Sequence, residues 1–143
     1  MLKQIDHIAI AVFNLDEALK KYESLFQMKA KHIEIMENLS LRMAFIPIGE
    51  VMLELVEPLS PGKGRITEFL EKHGEGFHHI AYKVEHVEPL LAEMKKTGTE
   101  LRDEKPRPGA WGSQIAFLSP EETNNVLTEL IERQEEFWLE KER

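Results

Sequence analysis

The sequence contains no cysteine. Disulfides and thiolate metal sites are therefore excluded, and the absence fits a reducing cytoplasm. No apolar run is long enough to span a bilayer, and the N-terminus has no signal-peptide pattern. The expectation is a cytoplasmic chain with no membrane partner. There is no basic block either, and the formal net charge is −8. An acidic surface of this kind argues against nucleic acid or an anionic membrane as the main partner. What is present is ordinary globular material: 143 residues, 42% hydrophobic and 31% charged, enough for one domain with a proper core.

The chain repeats itself at an offset of 72 residues. His7, Ile8, Ala9 and Val12 fall on His79, Ile80, Ala81 and Val84, and Leu15 and Leu19 on Val87 and Leu91. Ala44-Phe45-Ile46 falls on Ala116-Phe117-Leu118. After three inserted residues the match resumes, VMLELVE (51–57) on VLTELIE (126–132), so that Glu54 lands on Glu129. Repeat one spans 3–57, a linker 58–75, repeat two 76–132 and a tail 133–143.

Each repeat opens on a strand, 4–12 or 76–84, rich in β-branched residues. A helix follows. Leu15, Ala18, Leu19 and Tyr22 form one apolar stripe, and Val87, Leu90, Leu91 and Met94 the other. Asn14 with Glu17 reads as a capping pair, and Pro89 suits a first helical turn. Three further strands complete each copy: about 29–36, 41–48 and 51–57, then 99–103, 113–118 and 126–132. In the linker, PLSPGKG reads as a loop and RITEFLEKH as a short helix closed by Gly74. The tail, with Phe137 and Trp138, reads as a charged helix. The unit is βαβββ, twice. Neither copy buries a sheet face alone, so the expected fold is α+β, one curved eight-stranded mixed sheet with helices outside and a cleft within.

Strand alternation places His7, Ala9 and Ala11 on one face, and Ile8, Ile10 and Val12 on the other. In the fifth strand His79 shares its face with Ala81, so the adjacent His78 points away. The bulky faces suit helix packing, and the small faces leave room in the cleft. Glu54 and Glu129 each interrupt an apolar strand, where a lone carboxylate is costly unless paired or bound to metal. Two imidazoles and two carboxylates at repeat-related positions suit one divalent ion, Zn, Co, Ni or Mn, with two positions of an octahedral shell left open. His32, His73 and His86 lack such partners and read as surface residues.

The stretches IDHIAIAV, AFIPIGEVMLELVEPLSP, FLEKHGEGFHHIAYKV and DEKPRPGAWG resemble the vicinal-oxygen-chelate superfamily. That group includes glyoxalase I, ring-cleaving dioxygenases and methylmalonyl-CoA epimerases. Within it, ELVEPLSP, a helix and then GEGFHHIA are most similar to the epimerases, and the similarity covers about residues 3–132. The resemblance implies a metal that holds a carboxylate oxygen and the thioester oxygen of an acyl-CoA while a base removes the α-proton. It implies that Glu129 both touches the metal and handles the proton. The second base of the family lies in a Glu-Glu-Gln-Gly-Val loop, which aligns with ENLSL here, so Glu37 takes that role. Asn38, Leu39 and Ser40 replace Glu-Gln-Gly; Asn124-Asn125 stands for Gly-Gly; Ser119 stands where His-Pro is usual. A homodimer is expected, through the 65–73 helix or the sheet edges.

Three other readings compete. Glyoxalase I shares the fold and ligands, but its Asp-Pro-Asp-Gly turn is replaced by SPEETNNVLTEL. Extradiol dioxygenases use two histidines and one carboxylate, and the fourth ligand here speaks against them. Metal-free sequestering proteins tend to lose the ligand set, which this chain keeps.

Overall fold

The computed structural model describes residues 1–59 and 64–134. Among these residues the chain is α+β, with eight strands and three α-helices. It divides into two compact units. The first is His7–His78; the second joins Met1–Asp6 to the chain from His79 onward. The divisions therefore fall inside the opening strand of each repeat, not in the 58–75 linker. The reason is local bonding. Lys3 N–H donates to the Lys83 carbonyl, and Asp6 pairs with Arg133, which ties the first residues to the second repeat. At the other end, Phe13 N–H donates to the Glu75 carboxylate, and His78 stands edge-on to Phe69, which ties the end of the linker to the first.

The first unit contains β1 (Gln4–Ala11) from His7 onward, α1 (Leu15–Phe26), β2 (His32–Met36), β3 (Leu41–Ile48), β4 (Val51–Pro58) and α2 (Arg65–His73). Its strands lie in the order β2-β3-β4-β1. The β2–β3 and β3–β4 pairs are antiparallel, and β4–β1 is parallel. Helix α1 starts where Asn14 Oδ1 accepts from Glu17 N–H at 3.0 Å. A second acceptor caps the same end: Glu57 Oε2 takes Leu15 N–H at 2.6 Å. The helix closes at Gln27, left-handed with φ 55°. Its stripe of Leu15, Ala18, Leu19 and Tyr22 packs on Ile10, Val12, Ala44, Ile46, Leu53 and Leu55. Arg42 bonds Asp16 in its first turn at 3.0 Å, and that bond holds the Asp16 carboxyl below its ordinary range. Helix α2 ends at Gly74, φ 76°, as the sequence suggests.

The second unit contains β5 (Gly76–Lys83) from His79 onward, α3 (Val87–Lys96), β6 (Arg107–Gly109), β7 (Ser113–Phe117) and β8 (Thr128–Glu132). The order is β5-β8-β7-β6, with β5–β8 parallel and the others antiparallel. Glu132 Oε1 accepts from Val87 N–H at 2.9 Å, the counterpart of Glu57 on α1. The α3 stripe packs on Val84, Ala116, Leu118 and Leu130.

Two strands differ from expectation. Strand β2 begins only at His32. The segment 99–103 makes a single bridge, Leu101 with Leu118, and the edge strand is Arg107–Gly109 instead. Arg102 and Asp103 N–H both reach the Phe117 carbonyl, while the Asp103 carboxylate takes Phe117 N–H at 2.9 Å, so the chain bends there. Pro106 and Pro108 mask the true strand in the sequence, yet an edge tolerates proline. Gly109 is required there, because a Cβ would fall 2.5 Å from Ser113 Oγ and 2.6 Å from Ile115 Cγ2. The tail helix expected around Phe137 and Trp138, and part of the loop at 60–63, lie outside the described residues.

Candidate metal centre

In the first unit, β1 and β4 register Ala9 with Glu54 and His7 with Met52, and β3 and β4 register Phe45 with Glu54. Register partners share a face, so His7, Ala9, Phe45 and Glu54 all project the same way. Both polar groups are buried: His7 is 2% exposed and Glu54 7%. His7 Nε2 lies 3.1 Å from Glu54 Oε2. The Phe45 ring meets the imidazole edge-on, 6.0 Å between centroids at 85°.

The second unit repeats the arrangement. Ala81 registers with Glu129, and Phe117 with Glu129. His79 and Glu129 are each 4% exposed, with His79 Nε2 3.2 Å from Glu129 Oε2. Phe117 stands edge-on to His79 at 5.2 Å and 88°. Ala81, Ile115, Phe117 and Ile131 supply the apolar wall of that face.

Each unit thus presents one buried imidazole, one buried carboxylate and one aromatic ring that fixes the imidazole plane. The N···O separations fit cis ligands of one ion. Two donors each about 2.1 Å from a metal, at about a right angle, stand about 3 Å apart. Each pair offers one nitrogen and one oxygen donor, a set that suits a borderline divalent cation.

The other histidines sort as follows. His78 points away from the His79 face and stands against Phe69, 5.0 Å from its ring. His73 flanks the same ring at 4.9 Å. His86 is exposed. His32 is not a surface residue: its side chain is 15% exposed and its Nε2 lies 2.7 Å from Glu34 Oε1. Glu37 is exposed, at the start of a 3-10 turn, Glu37–Leu39.

Two departures from the epimerase pattern lie in left-handed backbone. Ser40 has φ 55°, and Asn124 and Asn125 have φ 59° and 64°. Each stands where the resembling family has glycine, and each holds the left-handed conformation that glycine adopts without cost. Sequence reasoning missed the buried pair of Asp6 and Arg133, joined by bonds of 2.8 Å and 3.0 Å. Arg133 also donates to the Ala110 and Trp111 carbonyls and so clamps the GAWG turn. Its only sequence signal is that Asp6 adjoins His7 and Arg133 follows the strand of Glu129.

Residues 6–117 match the family model described as Glyoxalase/Bleomycin resistance protein/Dioxygenase superfamily. The chain is 41% identical over 131 residues to the uncharacterized protein YqjC of Bacillus subtilis, covering 92% of this chain and 93% of that protein. It is 32% identical over 132 residues to the ethylmalonyl-CoA/methylmalonyl-CoA epimerase of Cereibacter sphaeroides, covering 91% and 98%. Among solved structures, a Streptomyces coelicolor methylmalonyl-CoA epimerase variant in complex with 2-nitronate-propionyl-CoA superposes with a TM-score of 0.88. That pair is 34% identical and covers 93% of this chain and 96% of the other.

Proposed function

The chain belongs to the glyoxalase/bleomycin resistance protein/dioxygenase superfamily, and from that membership we propose that it is an epimerase of methylmalonyl-CoA or a related 2-substituted malonyl-type acyl-CoA. The observation that carries this reading is the duplicated constellation of imidazole, carboxylate and phenyl ring, in a chain whose relatives include such epimerases. His7, Glu54, His79 and Glu129 would hold one divalent ion, Co, Zn, Ni or Mn. Once bound, the ion would supply a Lewis acid that stabilises negative charge on the thioester oxygen. The substrate reaches the protein in the cytoplasm. No helix among the described residues is long and apolar enough to cross a membrane.

The protein's own residues move the proton. An α-proton between a thioester and a carboxylate is too weakly acidic for a carboxylate to remove unaided, so the base must be held in place and kept from water. Glu129 is 4% exposed against the Ala81 and Ile131 wall. Its carboxylate takes the α-proton: the C–H bond breaks, an O–H bond forms, and the electron pair moves into the thioester carbonyl. Return of a proton to the opposite face inverts the centre. The resemblance assigns that opposite base to Glu37.

The test is to incubate metal-loaded protein with one stereoisomer of methylmalonyl-CoA in D₂O. Deuterium should enter at the α-carbon as the other isomer forms. A protein that does neither, yet isomerises the glutathione hemithioacetal, is a glyoxalase I type lyase instead.

A further inference from the structure

The carboxyl ends of β5 and β8 border a cavity of about 420 Å³. These two strands form the one parallel pair among β5 to β8, and α3 begins directly beyond β5. A crevice at the carboxyl ends of parallel strands is where open α/β sheets take ligands, and the start of a helix beside it favours negative charge. Lys3, Lys83, His86, Gln114, Arg133 and Gln134 line the cavity. Lys3 lies in the short N-terminal part of the second unit and Lys83 at the end of β5.

Three of these side chains are cations, in a chain of formal net charge −8. Arg133 is 6% exposed and is held in place by Asp6 at 2.8 Å and 3.0 Å. Lys3 N–H donates to the Lys83 carbonyl at 2.9 Å, a backbone bond that brings two lysines to one cavity. Lys83 is half-buried and makes no ion pair among the described residues. Like charges on bonded neighbouring segments destabilise each other, and an anion between them removes that cost. The acidic groups of the cavity are engaged elsewhere. Glu132 accepts from Val87 N–H at 2.9 Å, and the Glu85 side chain is exposed, 4.0 Å from His86.

The cavity is separate from the pair of His79 and Glu129. Lys83 lies four residues beyond His79 on β5, roughly 13 Å along the strand. Gln114 registers with Glu132, on the face whose Ala116 and Leu130 pack against α3. Glu129 and Phe117 occupy the opposite face.

We infer that this cavity binds the phosphate group of a small phosphorylated metabolite. Lys3 and Lys83 supply charge-assisted hydrogen bonds to the phosphate oxygens, and Gln114 and Gln134 supply amide donors. The volume admits a metabolite of a few carbons beyond the phosphate. None of these residues takes part in the epimerase reading, which stands or falls separately.

The experiment titrates the full-length protein with inorganic phosphate and with glycerol 3-phosphate at constant ionic strength, read by calorimetry and by thermal unfolding. Both should bind at millimolar concentration or below and raise Tm as they are added. Lys83→Gln should weaken both by about tenfold or more. His79→Ala should bind them as wild type does. Absence of binding by wild type overturns the assignment. So does a Tm rise of equal size in Lys83→Gln, which is the general stabilisation that phosphate salts give any protein. Binding lost in His79→Ala and kept in Lys83→Gln also overturns it, because the anion then sits on a metal. Displacement of glycerol 3-phosphate by coenzyme A overturns the separate site and makes the cavity part of the acyl-CoA path. If Lys83→Gln does not fold, Gln114→Glu, at an exposed position, adds a negative charge to the same cavity. Unchanged affinity in that variant overturns the assignment.

Discussion

A carboxylate buried in a strand needs a partner that compensates its charge, because desolvation without one costs several kcal/mol. Glu54 and Glu129 each have an imidazole nitrogen within 3.2 Å. That contact alone would satisfy them, but it leaves unexplained why the small residues Ala9 and Ala81 register opposite both carboxylates. An alanine beside each histidine–carboxylate pair leaves the volume that the proposed ion and its remaining ligands would need. The consequence is measurable at a single residue. Protein prepared without chelator should carry about one divalent metal per chain, and His79→Ala should lose most of it by elemental analysis. Unchanged metal in that variant would remove His79 from the ligand set.

At the scale of elements, the last residue of one strand fixes the first turn of a helix elsewhere in the same unit. Glu57, near the end of β4, accepts from the first amide of α1, and Glu132, the last residue of β8, accepts from the first amide of α3. A carboxylate there satisfies a donor that has no partner inside the helix and also opposes the positive end of the helix dipole. The bond sets where each helix begins, and so seats the apolar stripe on the face opposite His7 or His79. Glu57→Ala should cost about 0.5–2 kcal/mol of stability, read as a lower urea midpoint with an unchanged slope. A midpoint equal to wild type would show that Asn14 caps α1 alone.

For the molecule as a whole, the open question is assembly. β2 is the edge strand of the first unit's sheet, and its outward residues Ile33 and Ile35 are exposed. An edge strand with exposed apolar side chains invites a partner. By contrast the other edge, β6, is short and carries Pro108, which blunts it. We propose a homodimer, using the β2 edge or helix α2. Light scattering at micromolar concentration should give twice the chain mass of 16.6 kDa. A monomer mass would count against it.

Amino-acid order alone determined the duplication, and through it the two His–Glu pairs. Alternation is a property of the extended chain, so the faces of His7, His79, Glu54 and Glu129 could be read without any tertiary contact. The stripes of α1 and α3 were legible for the same reason, as was the Gly74 stop. What depended on contacts between distant residues left no such trace. Asp6 and Arg133 meet across 127 positions, a separation at which periodicity carries no information. The edge strand at Arg107–Gly109 is chosen by its register with β7, although its prolines argue locally against a strand. His32 read as a surface residue because its partner Phe45 lies on another strand, and only pairing in register brings that ring alongside. Periodicity encodes direction, while closeness between strands is decided by the hydrogen-bonded register that the folded sheet selects.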